Sequence, residues 1–259
     1  MPFIQQLLLK YPYYTLGLII VAAFVLFAIL GLVVVRHFIP HGKLKSHHDV
    51  ADPILGALGT IYAVLLAFVV VTVWQGFDRT NHNVLREVNY LADLYRDAEA
   101  FSPEFKDKAQ AKLREYRQAV VDDEWATMSR GKMSWKVEKL VREIWALYIV
   151  YLPKNVTEQS FFDLSVQDLQ SMRELRRERI MDSKTGMNNL LWFLLIVGAL
   201  STLSFTFLFG AENLQAQIVM VGILSVTISL ILFAIIEMNY PFTGGIVVSP
   251  EPFRLILLD

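Results

Sequence analysis

Residues 53–77 read PILGALGTIYAVLLAFVVVTVWQGF, 25 positions without a charge. A helix rises about 1.5 Å per residue, so this stretch exceeds the roughly 20 apolar residues that cross a ~30 Å hydrocarbon layer. Three further uncharged runs of the same kind occupy residues 11–35, 187–211 and 213–236. Burying four helices that are apolar on every side inside a soluble chain of 259 residues is not feasible. The fold class expected is therefore all-α, a polytopic membrane protein with four transmembrane helices. The first run is longer than the ~7–15-residue apolar region of a signal peptide and ends at Arg36-His37 without a small-x-small cleavage site, so it is expected to stay attached.

Charge is sharply segregated around these runs. Of 24 basic and 25 acidic residues, 19 of each sign lie between Asp78 and Gly186. That balanced mixture suits a solvated helical domain and gives no footprint for nucleic acid. The net charge is -1, and cysteine is absent, which excludes disulfides and thiol-based metal sites. The domain division expected is 1–77 for spans one and two, 78–186 for a helical bundle, 187–239 for spans three and four, and 240–259 for a tail.

Span two is expected to start at Pro53, capped by Asp52, and to run far past Trp74, because no proline follows until Pro103. Helical stretches are then expected over residues 104–129, 136–152 and 158–184, with Ser102 as a cap and Pro153 as a stop. Strand-like alternation and internal repeats are missing. Lys10, Arg79, Arg86, Arg173, Arg176, Arg177, Arg179 and Lys184 flank the spans on the bundle side, against Arg36, Lys43 and Lys45 opposite. The positive-inside rule then puts the bundle and both termini in the cytosol.

Enzymatic chemistry finds no constellation to support it. Gly42-Lys43 and Gly131-Lys132 lack the remainder of a phosphate loop, and neither HExxH nor a serine elbow occurs. His37, His41, His47 and His48 lie around Pro40 and Gly42, which break the helix a paired imidazole site would need, and read as solvated loop residues. No metal and no cofactor are expected. Arg173, Arg176, Arg177 and Arg179 read as anchors for anionic lipid headgroups.

Span two carries two patterned faces. Gly59, Ala63 and Ala67 recur every fourth residue and suit close helix packing. Tyr62, Leu65, Val69, Thr72, Gly76, Arg79, Asn83 and Glu87 form another face, apolar at mid-membrane and polar beyond it. This face lines a pore with an apolar neck and a wetted vestibule, or it packs on a neighbouring helix and then meets water. Glu237 closes span four, as a snorkelling residue or one paired with Lys184 or Arg254, or else as a functional intramembrane carboxylate.

The tail EMNYPFTGGIVVSPEPF, with Glu237, Pro241, Phe242 and Gly244 at its head, resembles the closing motif of the bestrophin-like membrane proteins of bacteria. The stretch 59–74 running into REVNYLADLYRDA, and LRRERI followed by MNNLLWFLLIVGA, fit the same family. The resemblance implies a four-span protomer with cytosolic helices in the lipid bilayer. It further implies a homo-oligomer, a pentamer in the family's manner, that passes small anions, with span two lining the pore and Leu65 and Val69 in its neck. Asp122-Asp123-Glu124 is the nearest thing to a calcium clasp and reads as the exposed turn of a helix. A non-conducting scaffold or signalling protein is the alternative. A stator-like proton pathway is a second alternative, but a mid-membrane protonatable residue is missing.

Overall fold

The computed structural model describes residues 3–39, 48–209 and 213–256, and among these every regular element is helical. The helices are α1 (Phe3–Lys10), α2 (Tyr13–Phe38), α3 (His48–Asp97), α4 (Pro103–Ala119), α5 (Trp125–Met128), α6 (Trp135–Ile149), α7 (Val156–Asp182), α8 (Asn189–Thr206), α9 (Leu214–Met238) and α10 (Glu251–Leu255). Four of them, α2, α3, α8 and α9, are long and apolar enough to cross a membrane. The chain is an integral membrane protein.

Two compact units emerge. The apolar one comprises residues 10–39, 48–75, 187–209 and 213–239, and the polar one residues 3–9, 76–186 and 240–256. Helix α3 is 50 residues long and belongs to both, changing unit at Gly76.

In the apolar unit, α2, α8, α9 and the first half of α3 share a core around Leu32, Tyr62, Val69, Leu195, Leu203 and Leu232. Small residues set the approach: the ring of Tyr62 occupies the space a side chain at Gly198 would need, and Phe207 does the same at Gly31. Without a hydrophobic drive between helices in lipid, such close packing and interhelical hydrogen bonds supply the cohesion. The Tyr62 hydroxyl donates to the Leu195 carbonyl (3.1 Å), and Arg36 donates twice to Gln217 Oε1 (3.1 and 2.9 Å). Gln217 in turn donates to the Phe209 carbonyl (2.6 Å), so α2 and α9 are tied to the end of α8.

The polar unit is built on local sequence logic. Ser134 and Asn155 accept from backbone N–H groups of the first turns of α6 and α7, as Asn188 does for α8 in the apolar unit. Asn155 caps α7 by accepting from Glu158 N (2.8 Å), and the Glu158 carboxylate accepts in turn from Asn155 Nδ2 (3.2 Å) and Lys154 N (2.9 Å). Ser102 precedes α4 without a side-chain cap, its place supported by Pro103 at the first helical position.

Two helix boundaries differ from expectation. Helix α3 begins at His48, five residues before Pro53, so the proline sits inside its second turn. The bond it removes is the one to the backbone carbonyl of residue 49, close to the helix start, and the helix continues unbroken beyond it. The stretch 104–129 is not one regular helix: Val120–Glu124 widens into a π turn between α4 and α5. Within this turn Asp122 is exposed, as expected, Asp123 is half-buried, and Glu124 is fully buried, where an exposed residue was expected.

Candidate functional site

On span two, the rotation of α3 decides which side chains are available to anything outside the protomer. Tyr62 and Val69 are buried in the apolar core, Leu65 and Gly76 are half-buried, and Thr72 and Arg79 are exposed. Asn83 is buried, and its Nδ2 donates to Glu178 (2.8 Å). The face expected as a single pore lining is therefore split, with Tyr62, Val69 and Asn83 turned into their own protomer. The small-residue face points the other way. Ala63 and Ala67 are exposed, and Gly59 has open space where a side chain would project. Beside it run Thr60, Val64, Val71 and Gln75, all exposed. Among the described residues, nothing in the apolar unit covers these positions enough to bury them.

The polar unit holds a buried ionic cluster that the sequence misassigned. Arg176 and Arg179 stand three residues apart on α7, on the face shared with Met172, Leu175 and Ile180, and both are buried. Arg179 Nε donates to Glu87 Oε2 (2.7 Å), and its Nη2 donates to Glu87 Oε1 (2.9 Å) and Glu124 Oε2 (3.0 Å). Arg176 donates to both oxygens of Glu124 (3.1 and 2.7 Å) and to Glu138 (2.8 Å). The Tyr116 hydroxyl donates to Glu87 (2.6 Å), and the Arg179 guanidinium lies over the rings of Trp125 (4.9 Å) and Phe253 (5.7 Å). The cluster thus joins α3, α4, the π turn, α6, α7 and α10. With their donors taken by carboxylates, Arg176 and Arg179 are not free for lipid headgroups. Arg177 is exposed, and Arg173 stacks on Trp145 (4.6 Å).

Electrostatics follow the geometry. Burial alone would lower the proton affinity of both arginines, and the facing carboxylates, Glu124 for Arg176 and Glu87 with Glu124 for Arg179, more than reverse it. Burial, and next the Glu87 charge, hold the Tyr116 phenol well above its usual range. Glu138, which burial would raise, is held below the usual carboxylate range by Arg176 and Arg142. The pairing of carboxylates with guanidinium groups across these elements fixes the helices to one another.

The tail motif is part of the same packed unit. Phe242 is buried edge-on to Trp125 (5.6 Å), Gly244 adopts φ +111°, and the Val248 N–H donates to the Pro241 carbonyl (2.8 Å). A positive φ of this kind is accessible to glycine at no steric cost. Thr243 donates to the Ser129 carbonyl (2.7 Å) and accepts from Gln5 (3.1 Å), which also reaches the Ser183 carbonyl (3.1 Å). Glu237 is fully buried at the end of α9 and does not snorkel to water. His37 is exposed at the end of α2. His41, His47, Lys43, Lys45 and the side chain of His48 lie outside the described residues.

A family model described as a bestrophin-like domain matches residues 22–253. No curated protein and no solved structure matches the chain.

Proposed function

The chain belongs to the bestrophin-like family, and from that premise we propose that it forms an oligomeric channel for small anions, not an enzyme. The observation that supports this reading is the broad exposed surface of α3 in its apolar half, where only Tyr62, Leu66, Val69 and Val73 are buried and Thr60, Val64, Val71 and Gln75 lie on one side of the surface left over. In a ring of copies this strip faces the axis, Val64 and Val71 form the apolar neck, and Gly59, Ala63 and Ala67 let the next copy's helix approach. Exposed Arg79 and Arg86 then stand at the polar mouth and attract anions. The polar unit, with residues 78–186 as its bulk, lies in the cytosol with both termini, by the excess of basic residues that flank the spans on its side.

Chloride efflux from proteoliposomes tests the reading. Val64→Ala and Val71→Ala widen a hydrophobic neck and are expected to raise flux, whereas Val69→Ala, inside the protomer, is expected to alter stability first. Liposomes that stay tight with oligomeric protein inserted favour the scaffold alternative.

A further inference from the structure

The chain passes between the polar unit and the apolar one four times, and Gln5, Thr80, Ser183 and Thr243 each lie within four residues of a passage. Hydrogen bonds gather these passages at one end of the polar unit. Gln5 donates to the Ser183 carbonyl and to Thr243 (both 3.1 Å), and Thr80 donates to Asp182 (2.7 Å). The loop before α6 lies against the same end. Thr243 donates to the Ser129 carbonyl (2.7 Å), and Gly131, at φ +64°, is so close that a side chain there would meet Gln5 at 3.3 Å and the Ser183 carbonyl at 3.7 Å. The loop thus sits where the chain leaves for the four spans.

Residues 129–137, SRGKMSWKV, contain three cations and no acid. Arg130, Lys132 and Lys136 are exposed, and so is Lys184 beside Ser183. The carboxylates nearest in sequence are engaged elsewhere: Asp122 accepts from Gln118 (2.6 Å), Asp123 from Ser134, Glu124 from Arg176 and Arg179, and Glu138 from Arg176 and Arg142. Among the cations, Trp135 is 74% exposed although it opens α6 next to buried Ser134. An exposed indole flanked by cations at the entry to spans suits the headgroup layer, where Trp settles at the interface and each cation is drawn to an anionic leaflet. We propose that residues 130–136 are a docking surface for anionic phospholipid headgroups. Arg130, Lys132 and Lys136 hold the phosphates, and the Trp135 ring lies among the glycerol and upper acyl groups. The surface requires four spans in a bilayer and no ion conduction.

The full chain and its Trp135→Phe variant are reconstituted in phosphatidylcholine vesicles, and the difference between their emissions isolates Trp135. Phosphatidylglycerol and phosphatidylcholine, each carrying a nitroxide at the top of one acyl chain, are compared as quenchers of that difference. Phosphatidylglycerol is expected to quench at a several-fold lower mole fraction. Arg130→Gln, Lys132→Gln and Lys136→Gln should each lower the preference by up to about fivefold, the effect of one cation at an anionic leaflet. Lys154→Gln, exposed beyond the opposite end of α6, should leave it unchanged. Quenching that does not distinguish the two lipids, no quenching by either, or an equal loss with Lys154→Gln overturns the surface. Inorganic phosphate added at constant ionic strength should not displace the labelled phosphatidylglycerol; displacement assigns the cations to a free anion and overturns the lipid.

Discussion

Replacing Arg179 by methionine removes the cation at the centre of the buried cluster while keeping most of its volume. Glu87 then loses both of its charge-assisted bonds and keeps only the Tyr116 hydroxyl, and Glu124 keeps Arg176 alone. Glu87, Glu124 and Arg179 are each 0% exposed, so water does not reach the stranded carboxylate. Removing one partner of such a pair costs about 3–5 kcal/mol. For a chain of this size that corresponds to a fall in melting temperature of roughly 6–20 °C. Glu87→Gln is milder, because Arg179 keeps Glu124 and the amide still accepts from Tyr116; about 1–3 kcal/mol is expected. The double variant Arg179→Met with Glu87→Gln should lose less than the sum, with a coupling of about 0.5–3 kcal/mol. The melt is followed in detergent on tryptophan fluorescence, with Trp125 beside Arg179 as the local reporter. A loss below about 1 kcal/mol for Arg179→Met, or strict additivity, refutes the reasoning.

Asp97 and Asp168 are held above the usual carboxylate range by burial first and then by Asp93, with Asp97 adding to Asp168. A raised folded pKa means the folded state holds its protons more tightly, so stability should rise as the pH falls through that pKa. It should fall again at lower pH, where Glu138 and Glu158, both depressed, take up protons; Asp97→Asn should stabilise at neutral pH and flatten the mildly acidic rise in a melting series. Gly198→Ala puts a methyl group into the Tyr62 ring and should cost about 1–3 kcal/mol in the same melt, with membrane insertion unchanged. Leu85→Pro lies at an exposed position in the middle of α3, so its effect is that of the backbone alone: about 3 kcal/mol or more, read as lost oligomer in size-exclusion chromatography with the four spans still inserted.

The four long apolar helices were legible because a hydrocarbon layer imposes length and hydrophobicity directly on sequence. The rotation of α3 was not, because from Pro53 to Phe77 the helix is apolar on every side, so spacing left open whether Tyr62 and Val69 line a pore or pack on a neighbouring helix, and they pack inward. Arg176 and Arg179 were misread for a different reason. A run of arginines near a span looks like a headgroup anchor, and the carboxylate that claims Arg179 lies 92 residues earlier on another helix. The signal was present on α7 itself: Met172, Leu175 and Ile180 surround both arginines on one helical face, which marks that face for burial. The π turn that brings Glu124 to them answers to packing and left no mark in the local sequence.

The channel proposal is tested most directly by thiol block in the cysteine-free chain. Val71→Cys protein is reconstituted into chloride-loaded liposomes, and efflux is recorded before and after a water-soluble thiol reagent, with Leu66→Cys, buried in the protomer, as control. The account predicts efflux well above protein-free liposomes, abolished by the reagent at Val71→Cys and untouched at Leu66→Cys. Efflux no greater than that of protein-free liposomes, or efflux the reagent blocks at Leu66→Cys but not at Val71→Cys, contradicts it.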